Sequence, residues 1–115
     1  MPPEPGAPGP ASGSASGSGA SGIYLLRPLA EADLEDIWTY TARRWSPGQA
    51  DEYLRLLLGA LAGLATGAKA GRPVDVREGY LKYAVASHVI YHVRGATGLE
   101  VVRVLHERMD VARHV

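Results

Sequence analysis

Residues Leu99 to Asp110, Leu-Glu-Val-Val-Arg-Val-Leu-His-Glu-Arg-Met-Asp, constrain this chain more than any other stretch. Side chains alternate across an extended strand. Val101, Arg103 and Leu105 therefore share one face, and Val102, Val104 and His106 the other. The second face is apolar up to its terminal His, and the first is apolar except for Arg103. Such a strand belongs near the centre of a sheet, with core on one side and a partly wet surface on the other. It ends in a charged elbow, His106-Glu107-Arg108, before Met109 and Asp110. Two readings of the elbow stand. It is a functional site delivered at a strand's C-terminal edge, or a corner locked by ion pairs.

The remainder of the chain bounds what this strand can join. A length of 115 residues leaves room for one domain. Cysteine is absent, which excludes disulfides and thiolate metal sites. No apolar run approaches the length of a bilayer-spanning helix, and the N-terminus lacks the basic and apolar regions of a signal peptide. The expectation is a cytoplasmic protein without a membrane partner. Residues 1–22 are almost entirely Pro, Gly, Ser and Ala. They offer nothing to offset the entropy of ordering, so they read as a disordered leader or linker before a foldable domain at 23–115. Formal net charge is zero. Residues 28–68 are mildly acidic and residues 69–115 mildly basic. That bias is too weak for a nucleic-acid stripe, so direct sequence-specific binding to nucleic acid is not expected.

Ile23 to Arg27 is a short apolar run closed by Pro28, which reads as a strand. A helix follows from about Ala30 to Trp45, with acidic first turns and Arg43 and Arg44 in its last. Leu34, Ile37, Trp38, Thr41 and Trp45 recur at helical spacing, a stripe read as core rather than as ligand-stacking aromatics. Ser46-Pro47-Gly48-Gln49 combines an N-cap, a proline at the first helical position and a capping-box Gln. The connection is so short that the two helices must form an antiparallel hairpin. The second helix buries Tyr53, Leu54, Leu57, Leu61 and Leu64 and ends near Thr66, with Gly67 as its cap. Its far face carries Leu56, Gly59, Ala60 and Gly63. Two interior glycines cost roughly 1 kcal/mol each relative to alanine. That face is a docking groove for a partner helix, or simple drift in an Ala/Gly-rich sequence.

Gly67 to Gly79 reads as a loop, and its Lys69 and Arg72, with Arg77 and Lys82, are irregularly spaced. Strands follow at Tyr80–Ala86, His88–Arg94 and Leu99–His106. The turns at Ser87-His88 and Gly95–Gly98 are short enough to force antiparallel pairing. The architecture is α+β, β-α-α-β-β-β, with a helical hairpin packed on a small antiparallel sheet. The partner of the first strand does not follow from the sequence. Asp110 to Val115 starts a short tail helix, with Asp110 as its cap. No metal or cofactor is expected. His88 and His92 lie roughly 13 Å apart along one strand face and cannot share an ion unaided. There is no Gly-x-Ser-x-Gly elbow for a nucleophile.

Four segments carry a resemblance. Val102-Arg-Val-Leu-His-Glu-Arg-Met-Asp110 resembles the C-terminal signature of ParE toxins, in the RelE/ParE superfamily of type II toxin–antitoxin systems. Glu31 to Tyr40 with Arg44-Trp45 resembles the family's first helix. Gly71-Arg72-Pro73 resembles its central loop, and Ser87-His-Val-Ile-Tyr91 the strand after it. The likeness spans residues 23–115. It implies the same RelE/ParE-like fold, and a growth-inhibiting toxin that stabilises plasmids by binding and poisoning DNA gyrase and is neutralised by a ParD-like antitoxin. On that reading Leu56, Gly59, Ala60 and Gly63 face the antitoxin, and Arg103, His106, Glu107 and Arg108 face the target. The chain is then a binding protein rather than a catalyst. The alternative is a RelE-like ribosome-dependent mRNA endoribonuclease. Arg103 and His106 would then carry the chemistry, with Arg77 or Lys82 as phosphate clamps.

Overall fold

Two cap residues set the helical layer. In a computed structural model, which describes residues 23–96, 98–109 and 111–115, helix α1 runs Pro28–Arg44 and helix α2 runs Pro47–Thr66. The predicted leader, Thr97 and the capping role given to Asp110 lie outside the described residues. Ser46 Oγ accepts a hydrogen bond from the Gln49 N–H at 3.1 Å, the N-cap contact read from the sequence. Gly67, at φ +90°, ends α2 in the left-handed conformation that glycine adopts without strain. Helix α1 begins two residues before the predicted Ala30. Pro28 closes the first strand and also starts the helix, where its missing N–H has no partner to lose. Trp38 Nε1 donates to Asp51 Oδ1 at 2.8 Å and ties the two helices together.

The sheet holds five strands: β1 (Tyr24–Leu26), β2 (Arg72–Pro73), β3 (Leu81–Val85), β4 (His88–Gly95) and β5 (Gly98–His106), in the order β1-β5-β4-β3-β2. The β3-β4-β5 meander is antiparallel as predicted. Strand β1 joins parallel to β5, with Tyr24 opposite Leu99, so the sheet is mixed at that edge. The short β2, read from sequence as loop, pairs with Leu81 and Lys82. It requires a glycine beside it: a Cβ on Gly71 would lie 2.6 Å from the ring of buried His92. The α+β plan of a helical hairpin on a sheet stands. No helix among the described residues is long and apolar enough to cross a membrane.

Strict alternation along β5 does not hold. Tyr91 pairs with Arg103 and His92 with Val101, which leaves Val102 as the extra residue of a β-bulge. The faces slip by one at that point. Leu99, Val101 and Val104 enter the core under the helices, with Ile90, Leu57, Leu61 and Leu64. Val102 and Leu105 turn to the other face and join Tyr91 there. That face is not the partly wet surface predicted. Val74, Tyr80, Val93, Val111 and Val115 pack on it, from the 74–80 loop, β4 and the tail helix α3 (Val111–His114). Trp45 departs from its predicted core position. It is 62% exposed and carries the Arg44 guanidinium 4.9 Å above its ring. Of the predicted stripe only Leu34 and Ile37 are buried, and Trp45 falls at the C-cap where the helix ends.

The β3–β4 turn falls at Ala86-Ser87, one residue earlier than predicted, and Ala86 sits at φ +52°. A side chain at that angle crowds the following carbonyl, at a cost of about 1 kcal/mol that glycine avoids. Ala86→Gly is therefore expected to raise unfolding stability by about 1 kcal/mol in denaturant titration, contrary to the usual penalty for glycine.

Candidate functional site

Beyond Val101 the outer edge of β5 loses its neighbour, because β1 stops at Leu26 and the chain turns into α1. Arg27 N still donates to Val101 O at 3.0 Å. From there a side chain takes over the strand's role. Asp33 Oδ2 accepts from Val104 N at 3.0 Å and from Arg103 Nε at 2.7 Å, while its Oδ1 accepts from Arg103 Nη2 at 2.8 Å. Arg103 Nη1 reaches His114 O at 3.2 Å. The pair is little exposed, at 15% and 12% of the side-chain surface. Hydrogen bonding from Asp33 holds the Arg103 guanidinium above its ordinary pKa, against the opposing effect of burial. Arg103, predicted as a target-facing or catalytic group, thus has three nitrogens already engaged within the fold.

The elbow is held differently from the ion-paired corner considered above. Among the described residues His106, Glu107 and Arg108 form no ion pair. The corner is fastened by backbone groups instead: Glu107 N to Ser87 O at 2.8 Å, Met109 N to His106 O at 2.9 Å, and Arg108 N to His106 Nδ1 at 3.1 Å. Glu107, Arg108 and Met109 project as exposed side chains.

Two further residues meet His106, and sequence reasoning passed over both as functional groups. His88 lies directly opposite it across β4 and β5, with ring centroids 5.4 Å apart in an edge-to-face arrangement. The Tyr53 hydroxyl sits 2.7 Å from His88 Nδ1 and accepts from Ser87 N at 3.2 Å. Burial, then the neighbouring His106, lowers the His88 pKa, so the ring is neutral at neutral pH. Burial likewise raises that of Tyr53. A two-residue turn between Gly95 and Gly98 would place His88 opposite Leu105. The bulge shifts the register by one and makes the histidine pair. The signal in the sequence was two histidines near matching ends of a hairpin, but the bulge was needed to align them. No group of three or more His, Asp or Glu among the described residues is arranged to hold a metal ion.

The predicted docking face lies along α2 and β3. Leu56 is 51% exposed, and a Cβ on Gly59 would meet nothing within 4 Å. Both line a groove of about 340 Å³ between α2 and β3, with Arg55 and Lys69 at its rim and Tyr83 in its wall. Ala60 borders the groove but is itself buried in the core. Gly63 lies under the Lys69 side chain, whose carbons would stand 2.8–3.0 Å from an added Cβ. The four residues are therefore not equivalent: Leu56 and Gly59 are open, Ala60 is structural and Gly63 is covered.

Residues 24–111 match the family described as ParE toxin of type II toxin-antitoxin system, parDE. Toxin ParE1 of Mycobacterium tuberculosis is 46% identical over 97 residues, covering 83% of this chain and 99% of that protein. Toxin ParE1 of Caulobacter vibrioides is 39% identical over 93 residues, covering 80% and 96%. A solved structure titled "Chromosomal ParDE TA system from P. aeruginosa" superposes with a TM-score of 0.65 at 16% identity, over 72% of this chain and 92% of that one. At that identity the superposition speaks for the fold alone.

The Asp33 tie has a measurable consequence. Asp33→Ala leaves a guanidinium and a strand N–H without their acceptor in a largely dry place, which costs about 3 kcal/mol. Equilibrium unfolding in urea is expected to show that loss, while Glu35→Ala, on the exposed side of α1, stays within about 0.5 kcal/mol of the parent.

Proposed function

The chain belongs to the ParE toxins of type II toxin–antitoxin systems, and from that premise we propose that it halts bacterial growth in the cytoplasm by binding and poisoning DNA gyrase, with a ParD-like antitoxin as its neutralising partner. The observation that carries a binding role over a catalytic one is the commitment of Arg103, the cation paired with His106 in the catalytic reading. A ribonuclease needs a proton-transfer group with cations free to meet the scissile phosphate. Here Arg103 is committed to Asp33 and His114 O. Of the two candidate phosphate clamps, Arg77 stacks on Tyr80 and donates to Val115 O, while Lys82 stands exposed on β3. A toxin that works by occupying a surface has no such requirement. The exposed elbow of Glu107, Arg108 and Met109 beside His106 is the target-facing surface on this reading, and Arg103 supports it from behind.

The groove between α2 and β3 is the antitoxin's place on the same reading. Its apolar floor at Leu56 and Gly59 suits an amphipathic helix, and Arg55 and Lys69 at the rim favour acidic residues on that helix. Beyond Lys82 the outer edge of β3 has no strand partner among the described residues, so an extension of the antitoxin has a strand to pair with.

Three experiments test this. Purified toxin added to gyrase and relaxed plasmid is expected to stop supercoiling and accumulate cleaved DNA, with purified antitoxin reversing both. Programmed ribosomes should show no cut transcripts; codon-phased cuts abolished by His106→Ala would restore the ribonuclease reading. Gly59→Leu fills the groove and replaces a poor helix former. It is expected to weaken antitoxin binding at least tenfold in calorimetry while raising toxin stability by a few tenths to about 1 kcal/mol.

A further inference from the structure

The corner formed by His88, His106 and Tyr53 carries a specific hydrogen-bonding signature. Arg108 N–H can only donate, so His106 Nδ1 is the acceptor and the ring proton sits on Nε2. Tyr53 Oη already accepts from Ser87 N, and its own proton finds an acceptor in His88 Nδ1. The assignment in which Tyr53 accepts from Ser87 and donates to His88 uses both hydroxyl roles within the fold. With that assignment His88 also carries its proton on Nε2. Neither Nε2–H has an acceptor among the described residues. Both rings line one cleft of about 190 Å³, together with Tyr53, Thr41 and the exposed Tyr40 and Trp45.

We infer that this cleft is a carboxylate-binding site, in which the Nε2–H groups of His88 and His106 take an Asp or Glu side chain of a protein partner. Protonated Nε2 atoms are donors and offer no lone pair to a metal ion. No Lys or Arg stands among the residues lining the cleft, and the Arg44 guanidinium is stacked on Trp45 at its edge. Phosphate recognition draws on such cations, whereas two N–H donors match in number the two acceptor oxygens of a single carboxylate. Tyr40 and Trp45, at 66% and 62% exposure, flank the cleft with the side chains most enriched at protein interfaces. Tyr53 is a positioning residue: it holds the His88 tautomer and touches no ligand itself.

The inference rests on the binding-type reading above only for the kind of partner, and its test is separate. Full-length protein with ¹⁵N-labelled histidine is titrated at pH 7.5 with acetate, acetamide or inorganic phosphate, and the ring nitrogens are followed by NMR. Both rings are expected in the Nε2-protonated form. Acetate should shift both Nε2 signals saturably, with an apparent Kd of about 10–100 mM, the range available to so small a ligand. Acetamide should shift neither, and phosphate should bind no more than about tenfold tighter than acetate. Tyr53→Phe should scramble the His88 tautomer and weaken acetate by about fivefold, the worth of one hydrogen bond. An Nδ1-protonated ring, no saturation with acetate, or a Tyr53→Phe protein indistinguishable from the parent overturns the site. Phosphate binding beyond the tenfold margin overturns the carboxylate and assigns a phosphate-bearing partner. Failure of gyrase inhibition leaves these signals unchanged, so the two readings fall independently.

Discussion

A single extra residue in β5, the bulged Val102, sets much of this molecule. Without it, strict alternation would put Val101 and Leu105 on one face and Val102 and Val104 on the other. With it, Val101 and Val104 both enter the core beneath the helices, while Val102 and Leu105 form a second apolar cluster on the opposite face. One strand thus serves two cores. The same shift brings His106 opposite His88 instead of its neighbour Leu105. Bulges re-aim side chains in this way wherever a sheet edge needs an exact residue placed.

The bulge lies where β5 stops being an interior strand. Its outer edge pairs with β1 for three residues and then faces the start of α1. An open edge of backbone N–H and C=O groups invites unwanted pairing or costs desolvation. Asp33 answers both problems from the helix, accepting the Val104 N–H and both arms of Arg103 with one carboxylate. Arg103 in turn holds the tail at His114 O. A charge that resembles a catalytic group in the sequence is thereby a joint between helix, sheet and tail. What remains near the elbow is the His88–His106 pair, two flanking aromatic residues and the exposed side chains of Glu107, Arg108 and Met109.

Helix α2 carries two glycines in its interior, Gly59 and Gly63. Glycines inside a helix lower its stability, and the two here have separate explanations. Gly63 leaves room for the Lys69 side chain, whose backbone N–H also donates to Gly63 O. Gly59 serves no internal contact and opens the groove beside β3. A helix that gives up stability at an exposed position without an internal gain is consistent with a surface kept clear for another chain.

Much of this was legible in the chain itself. The capping contact at Ser46, the stop at Gly67, the hairpin those two impose and the antiparallel meander of β3, β4 and β5 all follow from signals that act over a few residues. The resemblance in Val102 to Asp110 pointed to the family. Of the site residues read from the sequence, Leu56 and Gly59 lie in an open groove and Glu107 and Arg108 on a projecting corner, whereas Ala60 is buried, Gly63 is covered and Arg103 is engaged within the fold. The parts that were not legible depend on contacts between distant segments. The parallel seat of β1, the bulge at Val102, the exposure of Trp45, the commitment of Arg103 to Asp33 and the meeting of Tyr53, His88 and His106 are decided only when helix, edge strand and hairpin pack together. Local periodicity specifies which face a residue prefers, but a register shift of one residue reverses that face, and only tertiary packing selects the register.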